Sequence, residues 1–575
     1  MRARAARVTR ASLAVAAFLS LAKTAAAQPP AQEAPSPPIA NPPAASATEP
    51  PATTPPAPAV PAGPPLAGAP AEPLAARGPA VELTSLRLMR DKGMISAAEY
   101  DAASREIAAS IGERAADANT LVLGRWSTTL YGFLKADYIY DSTQSFSDLA
   151  GNALVERPAG APLPPPYPPT NFKGEHGRTT FSVRNSRFGF LMRAPEDHGI
   201  RATGQLEIDL FGASPPVGPS VPAPQDTRLP YETTENVTFA QPGLRLRHAN
   251  VRLETPIVDI LFGQYWHLFG WQNAYQPGMV QAQGGAGHLY GRAAQLRISR
   301  AFKTEAVTVE LAVAALRPPA RDSVMPDLQA GLRVALPRWT GVHTGGSTST
   351  NVMPASIAVT GDLRQFNVPE FDPLPTRSVS LSTQSFAIDA FIPVIPAKTR
   401  EGNALSVHGE FVYGSGIADL YTGLTGGAQL PTVANTTGLN PPPQYPQNVD
   451  NGLVTFDLDG ALHAIKWTTY LVGVQYTLPG LGGKVWLAAN YSRQISPNLG
   501  DYTRPYASTL PNPQAAYYPS AAQVRKSLDF VDASLFAEIV PSVRLGVEYA
   551  RSTDHYVDGV DATNQRAQTA AIFLF

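Results

Sequence analysis

The chain has 0 Cys among its 575 residues, which excludes a disulfide framework and a thiolate metal site and leaves stability to pairing and packing. Charge imbalance is missing too. Lys and Arg number 45 against 46 Asp and Glu, so no net field of one sign draws the chain to nucleic acid. No stretch approaches the roughly 20 uninterrupted apolar residues that a membrane helix needs. His248, His267 and His463 are scattered, with no His-x-x-x-His pair or neighbouring carboxylate set, so neither a metal centre nor another cofactor is expected.

What is present is unevenly distributed. Arg2, Arg4, Arg7 and Arg10, the apolar run from Ala11 to Leu21 and the small residues Ala25, Ala26 and Ala27 read as a secretory signal peptide over 1–27. The 57 Pro are concentrated in residues 28–80, a Pro/Ala tract with few large apolar side chains that reads as a disordered or polyproline spacer. Over 81–118, Leu83, Leu86, Met89, Ile95, Tyr100, Ile107 and Ile111 recur at helical spacing, and Ser96 to Glu99 forms a capping box after Gly93. That segment resembles the short helical module called SHOCT, which implies oligomerisation or attachment in the periplasm; a plain helical tether is the alternative.

From about residue 125 the period changes to two. In Gly204 to Leu210, the residues Leu206, Ile208 and Leu210 face one way while Gln205, Glu207 and Asp209 face the other. About sixteen such segments follow one another: 125–140, 179–193, 199–211, 243–254, 257–263, 291–302, 305–316, 327–336, 353–364, 380–391, 403–413, 466–478, 483–493, 527–540, 543–552 and 566–575. Connections after the second, fourth, sixth, twelfth and fourteenth are very short, whereas those after the first, third, fifth, eleventh and thirteenth run to roughly 27 to 52 residues. Turns on one side and loops on the other predict an all-β fold: a transmembrane antiparallel up-and-down barrel over 125–575 with a short periplasmic helical N-terminal segment. The connection at 337–352 is longer than this layout wants, which leaves 14 or 18 strands open. Trp126, Tyr131, Tyr138, Tyr140, Tyr476, Trp486, Tyr491 and Tyr549 fit interfacial girdles. The final strand ends on Phe575, and bacterial outer-membrane barrels characteristically end on an aromatic that their assembly machinery reads.

The second to sixth strands carry Arg184, Arg187, Arg201, Arg245, Arg247, Arg252, Arg292 and Arg297. An arginine facing lipid at the midplane costs roughly 2 to 4 kcal/mol, so several of these belong in the lumen. The loop at 264–290 has no Asp, Glu, Lys or Arg and offers Tyr265, Trp266, His267, Phe269, Trp271, Tyr275 and Tyr290 instead. Its aromatics either anchor it to the wall, the preferred reading, or stack on passing solutes. Glu207 and Asp209 can pair with some of the arginines, so structural ion pairs in an unselective pore are the alternative to a positive constriction.

The runs Leu130 to Asp137, Asn185 to Phe190, Gly204 to Gly212, Leu244 to Ala249 and Phe262 to Trp266 resemble the DcaP-like outer-membrane porins. About sixteen strands enclose an aqueous channel, and in porins of this size the third long loop, here 264–290, folds inward; the resemblance implies a trimer that takes small anionic solutes and carries an N-terminal helical segment. It places Arg187, Arg245 and Arg247 at the pore, beside the further candidates Glu207, Asp209, Arg297, His267 and Trp271. The partners it implies are outer-membrane lipid, the solutes in transit, two further copies of the chain and the assembly machinery at Phe575. An envelope anchor and a barrel hydrolase are the alternatives; the first needs only a narrow barrel, and the second needs a Ser, His and carboxylate set at the rim.

Overall fold

The computed structural model describes residues 120–123, 126–143, 157, 174, 176–212, 242–281, 284–320, 322–345, 350–421, 430–431, 445–504 and 518–575. The expected signal peptide, spacer and helical segment lie outside them. Among the described residues no helix is long and apolar enough to cross a membrane.

The strands in chain order are β1 (Thr120–Leu123), β2 (Trp126–Asp141), β3 (Arg178–Ser182), β4 (Arg187–Arg193), β5 (Arg201–Gly212), β6 (Gly243–Glu254) and β7 (Asp259–Trp266). There follow β8 (Arg292–Lys303), β9 (Thr308–Leu316), β10 (Asp327–Thr344), β11 (Thr350–Pro369), β12 (Ser378–Ile395) and β13 (Ala404–Ser415). The chain finishes with β14 (Val454–Phe456), β15 (Leu462–Ala464), β16 (Lys466–Thr477), β17 (Val485–Ile495), β18 (Arg525–Val540), β19 (Val543–Tyr556) and β20 (Asp561–Leu574). Neighbours in sequence pair antiparallel, and β20 pairs with β2 to close the sheet, with Tyr138 opposite Thr569. Closure leaves no edge, which is the condition for backbone to lie in hydrocarbon, where each unpaired group costs several kcal/mol.

With β3 and β4 taken as one interrupted strand, and β1 and the β14–β15 hairpin set apart, the wall has 16 strands, as the alternation predicts. The interruption is at Val183 to Ser186. There the Asn185 amide donates to Asp137 Oδ2 at 2.8 Å and the Ser186 hydroxyl to the Lys135 carbonyl at 3.3 Å, so inward polar groups of β2 hold the turn. The two faces differ as the period demands. Leu130, Leu134, Phe190, Leu206, Leu246 and Phe262 are exposed on the outside, whereas Lys135, Asp137, Glu207 and Asp209 are buried inside. On β20, Gln568, Ala570 and Ile572 point in and Phe573 points out.

Three expectations need correction. The connection does not span 337–352, because β10 runs on to Thr344 and β11 begins at Thr350, paired from Thr340 opposite Pro354 to Thr344 opposite Thr350. Tyr131 is not an interfacial residue. Its ring lies inside over Gly189, where any Cβ would sit 2.2 Å from the ring, and its hydroxyl donates to Glu207 Oε2 at 3.0 Å. Trp486 also turns inward, stacked on Phe536 at 5.0 Å between ring centres.

Candidate functional site in the lumen

The connection between β7 and β8, residues 267–291, enters the barrel and follows the far wall. Its first turn is pinned by Gln329 of β10, whose Oε1 accepts from the Leu268 and Phe269 amides at 2.9 and 3.0 Å. Thr360 of β11 accepts from the Gly270 amide at 2.9 Å, and the Tyr275 hydroxyl donates to Ser356 at 2.9 Å. Midway, Val280 packs against Phe133, Trp486, Phe536 and Ile572, side chains of β2, β17, β18 and β20. The loop returns past β17, where the Ser492 hydroxyl donates to the Ala286 carbonyl at 2.5 Å, and past β13, where Glu410 accepts from the Leu289 amide at 3.0 Å.

This route disfavours acidic residues in the loop. The charges that hold it belong to the wall: Glu548 of β19 accepts from the Val280 amide at 2.7 Å, and Glu410 does the same for Leu289. Carboxylates bonded to backbone N–H groups give strong, charge-assisted contacts. An acidic loop would repel them.

The arginines stand on the other side, on β4 to β8. Asp209 accepts from Arg245 at 2.9 and 2.6 Å, and Arg247 donates to Glu207 at 2.6 Å and to Asp209 at 3.1 Å. Arg187 lies 3.6 Å from Glu207. Their exposure separates them: the Arg247 side chain is 0% exposed, Arg187 12% and Arg245 34%. Arg184 and Arg245 both lie over the Phe211 ring. Arg292 is layered on Trp266 and Tyr290, with its guanidinium carbon 4.9 and 5.3 Å from the ring centres. Arg297 is buried beside Tyr265 and donates to Gln295 at 3.0 Å.

The eight candidate positions thus divide. Arg187, Arg245, Arg247, Glu207 and Asp209 form one ion-pair network on adjacent strands, in which Arg247 is the enclosed centre and Arg245 the most open member. Arg297 is adjacent but covered. His267 and Trp271 sit against the wall with 5% and 3% exposure, and the Trp271 ring lies where a Cβ on Gly331 would be 2.5 Å away. Burial and the nearby guanidiniums of Arg364, Arg297 and Arg292 push the His267 pKa well below its ordinary 6.5. Among the described residues no group of three or more His, Asp or Glu side chains is arranged to hold a metal ion. Sequence reasoning missed the anchoring groups Gln329, Thr360, Glu410 and Glu548; their signal was present as polar residues in the inward register of apolar-alternating strands.

No protein-family model and no curated protein sequence matches the chain. Among solved structures, it is similar to the outer membrane channel DcaP of Acinetobacter baumannii, at 15% identity over 79% of this chain and 99% of that one, with a TM-score of 0.50. It also resembles, at TM-score 0.41 and 9% identity, an anion-selective porin from Comamonas acidovorans, over 78% of this chain and 100% of that one. Salmonella typhi OmpF follows at TM-score 0.40 and 9% identity, over 79% and 100% of the two chains. In fold, the chain is a closed 16-strand antiparallel barrel similar to the DcaP channel.

Proposed function

We propose that the chain forms a water-filled passive diffusion channel in the outer membrane of a Gram-negative bacterium, for small polar solutes with a preference for anions. A barrel of this strand number is too wide for wall side chains to fill. The observation that carries the charge preference is the unequal covering of the two walls. Glu410 and Glu548 lie behind an uncharged loop that their carboxylates hold by its amides, whereas Arg187 and Arg245 keep part of their surface open. A solute between loop and arginines meets fixed positive groups on one side and amide, apolar and aromatic surface on the other.

In this reading the short-turn end faces the periplasm, with the N-terminal segment on that side, and the channel is a homotrimer, as the resemblance of its early strands to the DcaP-like porins implies. Phe575 is the signal for the assembly machinery. His555, near the long-loop end, has Nδ1 against Asp561 at 2.6 Å and Nε2 against Asp529 at 2.9 Å, so this histidine offers neither nitrogen to a serine.

Reversal potentials in planar bilayers under a KCl gradient test the proposal. The wild type is expected to be anion-selective, and Arg187→Ala with Arg245→Ala is expected to move the potential toward zero. Cation selectivity, or no shift in the double variant, would sink the positive-constriction idea, and absence of conductance would sink the channel.

A further inference from the structure

The β10–β11 hairpin leaves the wall. Val342, His343 and Thr344 are consecutive and all buried, at 5%, 5% and 2% exposure, whereas a wall strand alternates between buried and exposed. From β10 the hairpin runs inward across the neighbouring strands at the short-turn end. The Trp339 indole donates to the Pro393 carbonyl of β12 at 2.8 Å, and the Ser406 hydroxyl of β13 donates to the Val342 carbonyl at 2.9 Å. Gly341 makes this approach possible, since a Cβ there would lie 2.7 Å from Pro393 and 2.9 Å from the Ser406 hydroxyl.

Further along, the His343 ring meets Phe391 and His408 at 5.3 and 5.8 Å. Gln475 of β16 then grips Thr344 twice, its Oε1 accepting from the amide at 2.9 Å and its Nε2 donating to the carbonyl at 2.8 Å. Thr350, on the returning strand, accepts from Arg544 of β19 at 3.4 Å. The hairpin therefore touches inward side chains of β12, β13, β16 and β19, a chord across the lumen rather than a bump on its wall. It also meets the inward loop: a Cβ on Gly278 would fall 3.0 Å from the Thr344 carbonyl, and Gln276 lies against Gly345.

From this geometry we infer that the β10–β11 hairpin is a floor to the pore, a second filter on the periplasmic side of the inward loop. The inference rests on the channel reading above. Its described parts, 339–345 and 350–354, contain no Asp, Glu, Lys or Arg, so the floor discriminates by size and leaves the sign of the solute to the arginine wall. Size and charge selection are then separable, carried by different elements of the lumen.

The test replaces residues 339–352 with Asn-Gly in the full chain, keeping Arg338, and compares single-channel conductance, reversal potential and liposome swelling with neutral sugars of increasing size. The expected result is a higher conductance and a larger sugar limit with an unchanged reversal potential. Ser406→Ala with Gln475→Ala, which keeps the hairpin but cuts its tethers, is expected to shift both quantities the same way by a smaller step. That variant decides the matter if the shortened chain does not assemble into a heat-modifiable barrel. Wild-type conductance and sugar limit in the variants overturn the floor while leaving the channel intact. A reversal potential that moves with the conductance overturns the division into size and charge. A wild-type protein that swells no liposomes overturns the channel reading itself.

Discussion

The two sides of the lumen are built from the same residue types and used in opposite ways. On β4 to β6, carboxylates are spent on guanidiniums of adjacent strands, with Glu207 and Asp209 shared among Arg187, Arg245 and Arg247. On β13 and β19, Glu410 and Glu548 reach into the barrel and hold backbone amides of the loop. The first arrangement makes a rigid wall whose outermost cation stays available. The second makes a scaffold that hides its own charge, so what a side chain offers to a solute depends on what covers it.

The largest expected effect comes from breaking the centre of the first arrangement. Arg247→Ala takes from the buried Glu207 its hydrogen-bonded cation, leaving Arg187 at 3.6 Å, and takes one of two guanidiniums from Asp209; losing one partner of such a buried pair costs about 3 to 5 kcal/mol. Denaturant unfolding of the reconstituted barrel should show it, and an unchanged midpoint would mean that the network is not a unit. On the opposite wall Glu548→Ala removes the carboxylate that accepts from the Val280 amide, a loss of about 1 to 3 kcal/mol that falls on the loop rather than on the barrel. Its signature is noisier open-channel current with global unfolding little changed. Arg245→Ala should cost less stability than Arg247→Ala, because that side chain is 34% exposed and the buried Asp209 keeps Arg247. It should nevertheless move the reversal potential further than Arg247→Ala does per unit of conductance; the reverse order would place the selecting cation at the enclosed centre.

The smallest effect is a pH dependence at the foot of the loop. Gln329 donates to His267 Nδ1 at 3.1 Å while its oxygen holds the Leu268 and Phe269 amides. The folded pKa of His267 is depressed, so its neutral form contributes stability that is complete above the ordinary 6.5 and declines as pH falls below it, because the undocked loop takes the proton first. Current fluctuations should rise on acidification from neutral pH and become pH-independent in His267→Gln; a wild-type channel equally quiet in acid would count against this anchor.

Much of the wall was legible in the sequence, because a strand with one face in lipid must alternate, and Gly204 to Leu210 does so without interruption. The interior was less so, and each miss has a local cause. Tyr131 sits in a strand of mixed aromatic and apolar residues, where its parity with the buried Phe133, Lys135 and Asp137 turns it inward and the bare backbone of Gly189 on the adjacent strand makes room for its ring. The loop's path depends on partners far away in the chain, such as the Val280 amide and Glu548, 268 positions apart. The connection at 337–352 is Gly-, Ser- and Thr-rich, a composition it shares with an ordinary exposed turn, and what draws Val342 and Thr344 inward are Ser406 and Gln475, far along the chain. Among the candidate residues, the pairing of Glu207 and Asp209 with the arginines follows from register, whereas the covering that separates Arg247 from Arg245 does not.

The seam between β2 and β20 has a consequence for assembly. Across it, the Thr143 amide donates to Asn564 Oδ1 at 3.1 Å, two residues 421 positions apart, and Asp141 accepts from Arg566. Nearly every other pair in the wall joins sequence neighbours and can form hairpin by hairpin, with little chain entropy to overcome. The seam is a single contact of very long range, so the rate of making the barrel is set by how the two ends find each other, and until they do both edges stand open to pairing with another chain.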